Sequence, residues 1–102
     1  AKQLIAKGIK FDAICTASDL IAIGAMRAIQ EAGYNVPGDV AIAGFDDIAT
    51  ACSTSPALTT AKQDTVLAGE ILVDKLLQLV SGEEAHTQLM PATLVVRKSC
   101  GS

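Results

Sequence analysis

The apolar positions change period from one stretch of the chain to the next, and the changes mark out its elements. From Val40 to Asp47 the sequence reads V-A-I-A-G-F-D-D. Four small or β-branched apolar residues in a row, closed by Gly44 and two carboxylates, predict a buried strand that delivers charge at its carboxyl end. Upstream, Phe11–Thr16 (F-D-A-I-C-T) predicts a short parallel strand. Between the two, Ala22, Ala25, Met26, Ile29 and Ala32 fall on one face at helical spacing. Ser18 or Asp19 can cap that helix, since both side chains accept from the first-turn amides, and Gly33 stops it. Leu20 and Ile23 lie off the stripe, under neighbouring loops or in a subunit interface.

The same reading extends to both ends. Residues 1–8, A-K-Q-L-I-A-K-G, look like the tail of a helix that begins upstream, with Gly8 in the left-handed position that ends helices. After Asp47 comes a short helical turn, I-A-T-A-C, which Asp46 or Asp47 could cap. Pro56 pushes Ser55 out of helical conformation, and Leu58–Lys62 reads as a short extended segment. Asp64 then caps a helix to about Val80, whose Gly69, Leu72, Val73, Leu76 and Val80 share one face and read as core. Ser81 and Gly82 end it. The closing H-T-Q-L-M-P-A-T-L-V-V-R is extended, with Pro91 indicating an edge strand or a bulge. Strands alternating with helices predict an α/β fold of parallel strands with flanking helices.

Composition narrows the function classes. The 102 residues are half hydrophobic but include two Phe, one Tyr and no Trp, so the core must be aliphatic. Net charge is −3, and the eight basic residues are scattered singly. No basic stripe could neutralise a phosphate backbone, so this segment is not expected to bind nucleic acid by itself. No apolar run approaches the roughly 20 residues that span a bilayer. The cysteines, Cys15, Cys52 and Cys100, are odd in number and lack C-x-x-C spacing; they read as small hydrophobes in a reducing compartment, the cytoplasm.

Several motifs in register carry a resemblance. A-S-D-x-x-A-x-G-A at Ala17–Ala25, E-A-G-Y-N-V-P-G-D-V at Glu31–Val40, A-G-F-D-D at Ala43–Asp47, P-A-L-T-T at Pro56–Thr60 and the closing L-V-V-R-K-S resemble the C-terminal part of the LacI/GalR regulator family. The resemblance implies a partial periplasmic-binding-protein-like (type I) fold, roughly one subdomain without its N-terminal partner. The whole chain, residues 1–102, is then expected to be a C-terminal fragment of the effector-binding and dimerisation core. The DNA-binding head and the first half of the core would lie upstream. It implies a small-molecule effector, a sugar or similar metabolite, a homodimer or higher oligomer, and DNA contact only through the head.

Asp46 is the first candidate site residue. Ligands of open α/β sheets bind beyond the carboxyl ends of strands, and an ionised carboxylate makes bidentate, charge-assisted contacts to vicinal hydroxyls. By resemblance it is the carboxylate that accepts from effector hydroxyls. Ser18 stands where sugar-binding members often carry Asn, and is the second ligand candidate; Asp19 reads as a cap. The family's dimer contact would put Ile23, Ala51 and Thr54 near a partner chain. By the same analogy the helix 64–80 would pack on the missing subdomain, so the fragment is expected to repack it or to associate.

Two other readings compete. A periplasmic sugar-binding transport protein shares the fold, and fold alone does not separate carrier from sensor. A Mg²⁺-dependent phosphoacceptor-type domain could use Asp46 and Asp47, but it needs a further acidic residue and a positioned Lys, for which Lys62 is the one downstream candidate. Ser18 lacks a G-x-S-x-G elbow and His86 has no spaced Cys or His companion. No catalytic residue, cofactor or metal is expected.

Overall fold

The computed structural model describes residues 1–101. In chain order it runs α1 (Lys2–Ala6), β1 (Ala13–Cys15), α2 (Asp19–Glu31), β2 (Ala41–Phe45), a 3-10 turn (Ala49–Ser53), β3 (Thr59–Lys62), α3 (Thr65–Val80), β4 (Thr93–Val95) and a second 3-10 turn (Lys98–Cys100). The strands lie in the order β1-β2-β3-β4. β1 pairs with β2 and β2 with β3, both parallel, with Cys15 opposite Ala43 and Ala43 opposite Thr59. β2 thus has a neighbour on each side, which is why its sequence is an unbroken apolar run.

The chain divides into two compact units. One comprises Ala1–Lys62 together with the stretch from Leu94 onward, and the other Gln63–Thr93. The core belongs to the first: Ala22, Met26 and Ile29 of α2, Val40 and Ile42, Ala51 of the 3-10 turn, and Leu58. Ile5, Phe11, Ile14, Ile23, Val36 and Ile48 pack half-buried around it. Three of the five stripe positions on α2 are therefore buried; Ala25 is half-buried and Ala32 exposed, while Ala28 joins the buried set. Leu20 is exposed.

Local chemistry fixes the boundaries. Ser18 Oγ accepts from the Ile21 amide at 3.3 Å, so Ser18 is the N-cap of α2. Asp39 Oδ2 accepts from the Asn35 amide at 2.7 Å and closes the turn into β2. β4 stands at the end of the strand order, as Pro91 suggests, but the regular strand is confined to Thr93–Val95. The rest of the expected extended span has no regular structure.

In the second unit Asp64 caps α3 by accepting from the Leu67 amide at 3.0 Å. The stripe on this helix is not core: no residue of α3 is buried, and Leu72, Val73, Leu76, Leu77 and Val80 are all exposed. Its apolar face has no element of its own unit long enough to cover it, since residues 83–92 form no helix or strand. His86 is an exposed loop residue, as expected, and its carbonyl accepts from Lys75 Nζ.

Among the described residues the three cysteines, read as small hydrophobes, form no disulfide, and none of them is in the core. Cys15 and Cys52 are exposed and Cys100 is half-buried. Cys15 sits on β1, the short end strand, whose outward positions meet no layer. No helix is long and apolar enough to cross a membrane among the described residues.

Candidate carboxylate site at the sheet's carboxyl edge

Parallel pairing brings the ends of β1, β2 and β3 to one edge, and the A-S-D, G-F-D-D and L-T-T motifs meet there. Asp19, in the first turn of α2, is fully buried. Its Oδ2 accepts from the Ile48 amide at 2.9 Å and its Oδ1 from the Thr60 hydroxyl at 2.6 Å. A buried polar group is tolerated when it is bonded in this way. Asp19 is therefore a tie between α2, the loop after β2 and β3. The cap role belongs to Ser18, one residue earlier.

Gly44 exists to admit that tie. A Cβ at this position would sit 2.3 Å from Asp19 Oδ1 and 3.2 Å from both Asp19 Cα and Ala22 Cβ. The oxygen cannot swing away without releasing Thr60. The glycine of A-G-F-D-D is thus a matter of space.

Beyond β2 the backbone turns through two positive φ angles, 116° at Asp46 and 56° at Asp47. Asp tolerates the left-handed region better than most residues, yet φ near 116° lies outside its usual well, and such conformations cost about 1–3 kcal/mol unless the surroundings hold them. The surroundings do. The Asp46 amide donates to Ala61 O at 2.8 Å, the Asp47 amide to Thr60 Oγ1 at 3.3 Å, and the Ile48 amide to Asp19 Oδ2 at 2.9 Å. All three successive amides are bonded within the protein, so the loop is no anion nest. The N-cap position of the 3-10 turn falls on Ile48, whose side chain has no acceptor, so the turn has no side-chain cap and neither Asp46 nor Asp47 fills that role.

The two carboxylates part company. Asp47 Oδ1 lies 2.8 Å from Arg97 Nη2, with the Asp47 and Arg97 side chains only 14% and 20% exposed. Asp46 is exposed and its carboxylate has no hydrogen-bond or ion-pair partner among the described residues. They do not form a cation cradle. Among the described residues no group of three or more His, Cys, Asp or Glu side chains could hold a metal ion. What the edge offers is one acceptor-only group on a backbone fixed from both sides.

Ser18 follows the end of β1 as Asp46 follows the end of β2, so both candidates stand at the same carboxyl edge. Ser18 is half-buried, and its oxygen already accepts the Ile21 amide; its hydrogen is left to donate. Ile23 and Thr54 are half-buried, with Thr54 Oγ1 within 2.8 Å of Pro56 O. Ala51 is fully buried in the core, beside Thr54, whose Oγ1 also lies 3.2 Å from Ala51 O. A cavity of about 380 Å³ lined by Ile5, Phe11, Tyr34 and Asp39 lies at the opposite, amino edge, where β1 and β2 begin.

Sequence reasoning missed Thr60, Arg97 and the burial of Asp19. The P-A-L-T-T and L-V-V-R-K-S motifs contain the first two; two threonines in a row on a strand next to a buried one are a signal that their hydroxyls have partners.

A sheet whose first three strands run parallel, with α2 packed on β2, defines an α/β fold. Residues 2–100 match the periplasmic binding protein-like domain. The chain is 44% identical over 98 residues to the lactose operon repressor of Escherichia coli K12, covering 95% of this chain and 27% of that protein. It is 40% identical over 100 residues to a lactose operon repressor of Rhizobium radiobacter, covering 97% of this chain and 88% of that protein. A lac repressor dimer bound to operator and the anti-inducer ONPF superposes with a TM-score of 0.89 at 43% identity, over 97% of this chain and 35% of that one. The chain belongs to the periplasmic-binding-protein-like family, in its LacI-type regulator branch.

Proposed function

We propose that this chain is the C-terminal part of the effector-binding and dimerisation core of a bacterial LacI-type transcriptional regulator, working in the cytoplasm without enzymatic activity. The observation that carries the reading is Asp46: an exposed carboxylate with no partner among the described residues, on a loop whose three amides are all bonded elsewhere. Such a group is preorganised to accept from hydroxyls, and a sugar offers them in vicinal pairs. Ser18 adds a donor at the same edge. The remaining contacts come from an N-terminal half of the core, and DNA is read by a head upstream of it.

The mechanism is a population shift. Effector bound through Asp46 favours one arrangement of the two halves and so changes how a dimer presents its heads; the effect equals its differential affinity for the two arrangements. Ile23 and Thr54 supply partner-facing surface, with Ala51 as the packed layer beneath them. What supports a regulator over a carrier of the same fold is that the relatives are repressors.

The test is calorimetric titration of the full-length protein with ONPF and a panel of neutral mono- and disaccharides. Asp46→Ala should weaken the tightest ligand by roughly 10- to 100-fold, the worth of hydrogen bonds to a charged group. Equal affinity in the variant and the parent would remove Asp46 from the site.

A further inference from the structure

Arg97 connects β3 to the loop that presents Asp46. Its backbone amide donates to Thr59 Oγ1 at 2.8 Å, its Nη1 to Leu58 O at 2.9 Å, and its Nη2 lies 2.8 Å from Asp47 Oδ1. One residue thus grips Leu58, just before β3, and Thr59, its first residue, and reaches across to the residue beside Asp46. The planar guanidinium makes both side-chain contacts at once, in a fork that lysine cannot reproduce.

The loop has reason to need it. Asp46 and Asp47 both hold positive φ, and a pair of left-handed non-glycine residues relaxes unless its flanks are fixed. On the main-chain side the amides of Asp46, Asp47 and Ile48 are fixed; on the side-chain side Asp47 is held by Arg97. With Asp47 turned to Arg97, its neighbour's carboxylate is left facing solvent. We infer that Arg97 is a positioning residue for Asp46: the Arg97–Asp47 pair keeps the loop in the conformation that offers the Asp46 carboxylate as an unpaired acceptor. This rests on the reading of Asp46 as the effector contact. It adds that effector affinity is set in part by a side chain near the end of the chain that touches no ligand.

Two measurements on the full chain test it. The first needs no ligand: amide hydrogen exchange and the HN–Hα coupling of Asp46, in the parent, Arg97→Gln and Arg97→Lys. The sheet amides of Ala41 and Thr16, bonded to Asp12 O and Ala43 O, serve as references. In Arg97→Gln the Asp46, Asp47 and Ile48 amides should exchange about tenfold faster relative to those references, as expected of local opening, and the Asp46 coupling should shift. Arg97→Lys, keeping the charge without the fork, should fall between. A purely stabilising role would move all these amides together and leave the coupling unchanged, which would overturn the inference. If Arg97→Gln does not fold, Asp47→Ala breaks the same pair and is read the same way. The second measurement titrates neutral hexoses and disaccharides, for which Arg97→Gln should bind about tenfold more weakly. Should the parent bind none of them, the effector reading fails, while the exchange result still decides whether Arg97 positions the loop.

Discussion

At Gly44 a missing methyl group and a buried carboxyl group occupy adjoining space, and the two positions should behave as one. Gly44→Ala drives a Cβ into Asp19 Oδ1 and should destabilise by about 1–3 kcal/mol, the usual cost of overpacking. Asp19→Ala removes the acceptor of the Ile48 amide and the Thr60 hydroxyl and should cost about 1–3 kcal/mol for each donor left buried and unpaired. Because the second change removes the atom the first collides with, the double variant should be less destabilised than the sum, as contacting residues usually are. Denaturant unfolding of the three variants measures this; strict additivity would mean that Gly44 is required for some other reason. The residue scale is also where the sequence was least legible. Asp19 lies 29 residues from Ile48 and 41 from Thr60, and no local pattern distinguishes such a residue from the cap it adjoins.

Among elements, α2 and α3 contrast. Both are capped, by Ser18 and by Asp64, and both carry helical apolar spacing. α2 buries Ala22, Met26, Ala28 and Ile29, whereas α3 buries nothing. A helix of this length without tertiary burial depends on its own propensity and cap, which is marginal in water. The α3 amides should therefore exchange well before those of α2, and Asp64→Ala should cost α3 about 1 kcal/mol, read as lost protection at Leu67 and lost helicity. Protection of α3 equal to that of α2 would show that its apolar face is covered in solution. Periodicity and end signals were enough to find β1, α2, β2, β3 and α3, since each depends on residues a few positions apart. They could not say that the α3 stripe lacks a cover, because burial depends on what else is present. Nor could they show that the turn after Asp47 goes uncapped, because that depends on the turn starting one residue later, with Ile48 at the cap position.

For the molecule as a whole, the exposed leucines and valines of α3 amount to a large apolar surface with a strong tendency to be buried. Light scattering of the 102-residue chain over a concentration series should show association, and Leu72→Glu combined with Leu76→Glu should remove the part that α3 contributes, leaving no species larger than a dimer through the Ile23 and Thr54 surface. A parent that stays monomeric at high concentration would mean the helix finds cover within the chain. The larger unit itself is assembled from two separated stretches, Ala1–Lys62 and the residues from Leu94 on. Ser99 is fully buried, accepting from the Thr59 amide at 2.8 Å and donating to Ile42 O at 2.6 Å, and Arg97 reaches Asp47 in the same region. A ribosome makes Ile42 and Thr59 long before it makes Ser99. Until residues 97–100 leave the exit tunnel the sheet stands with an open seam, so the nascent chain completes this unit only once they have emerged, well after β2 and β3. Holding factors that bind unfinished sheets have that interval in which to act.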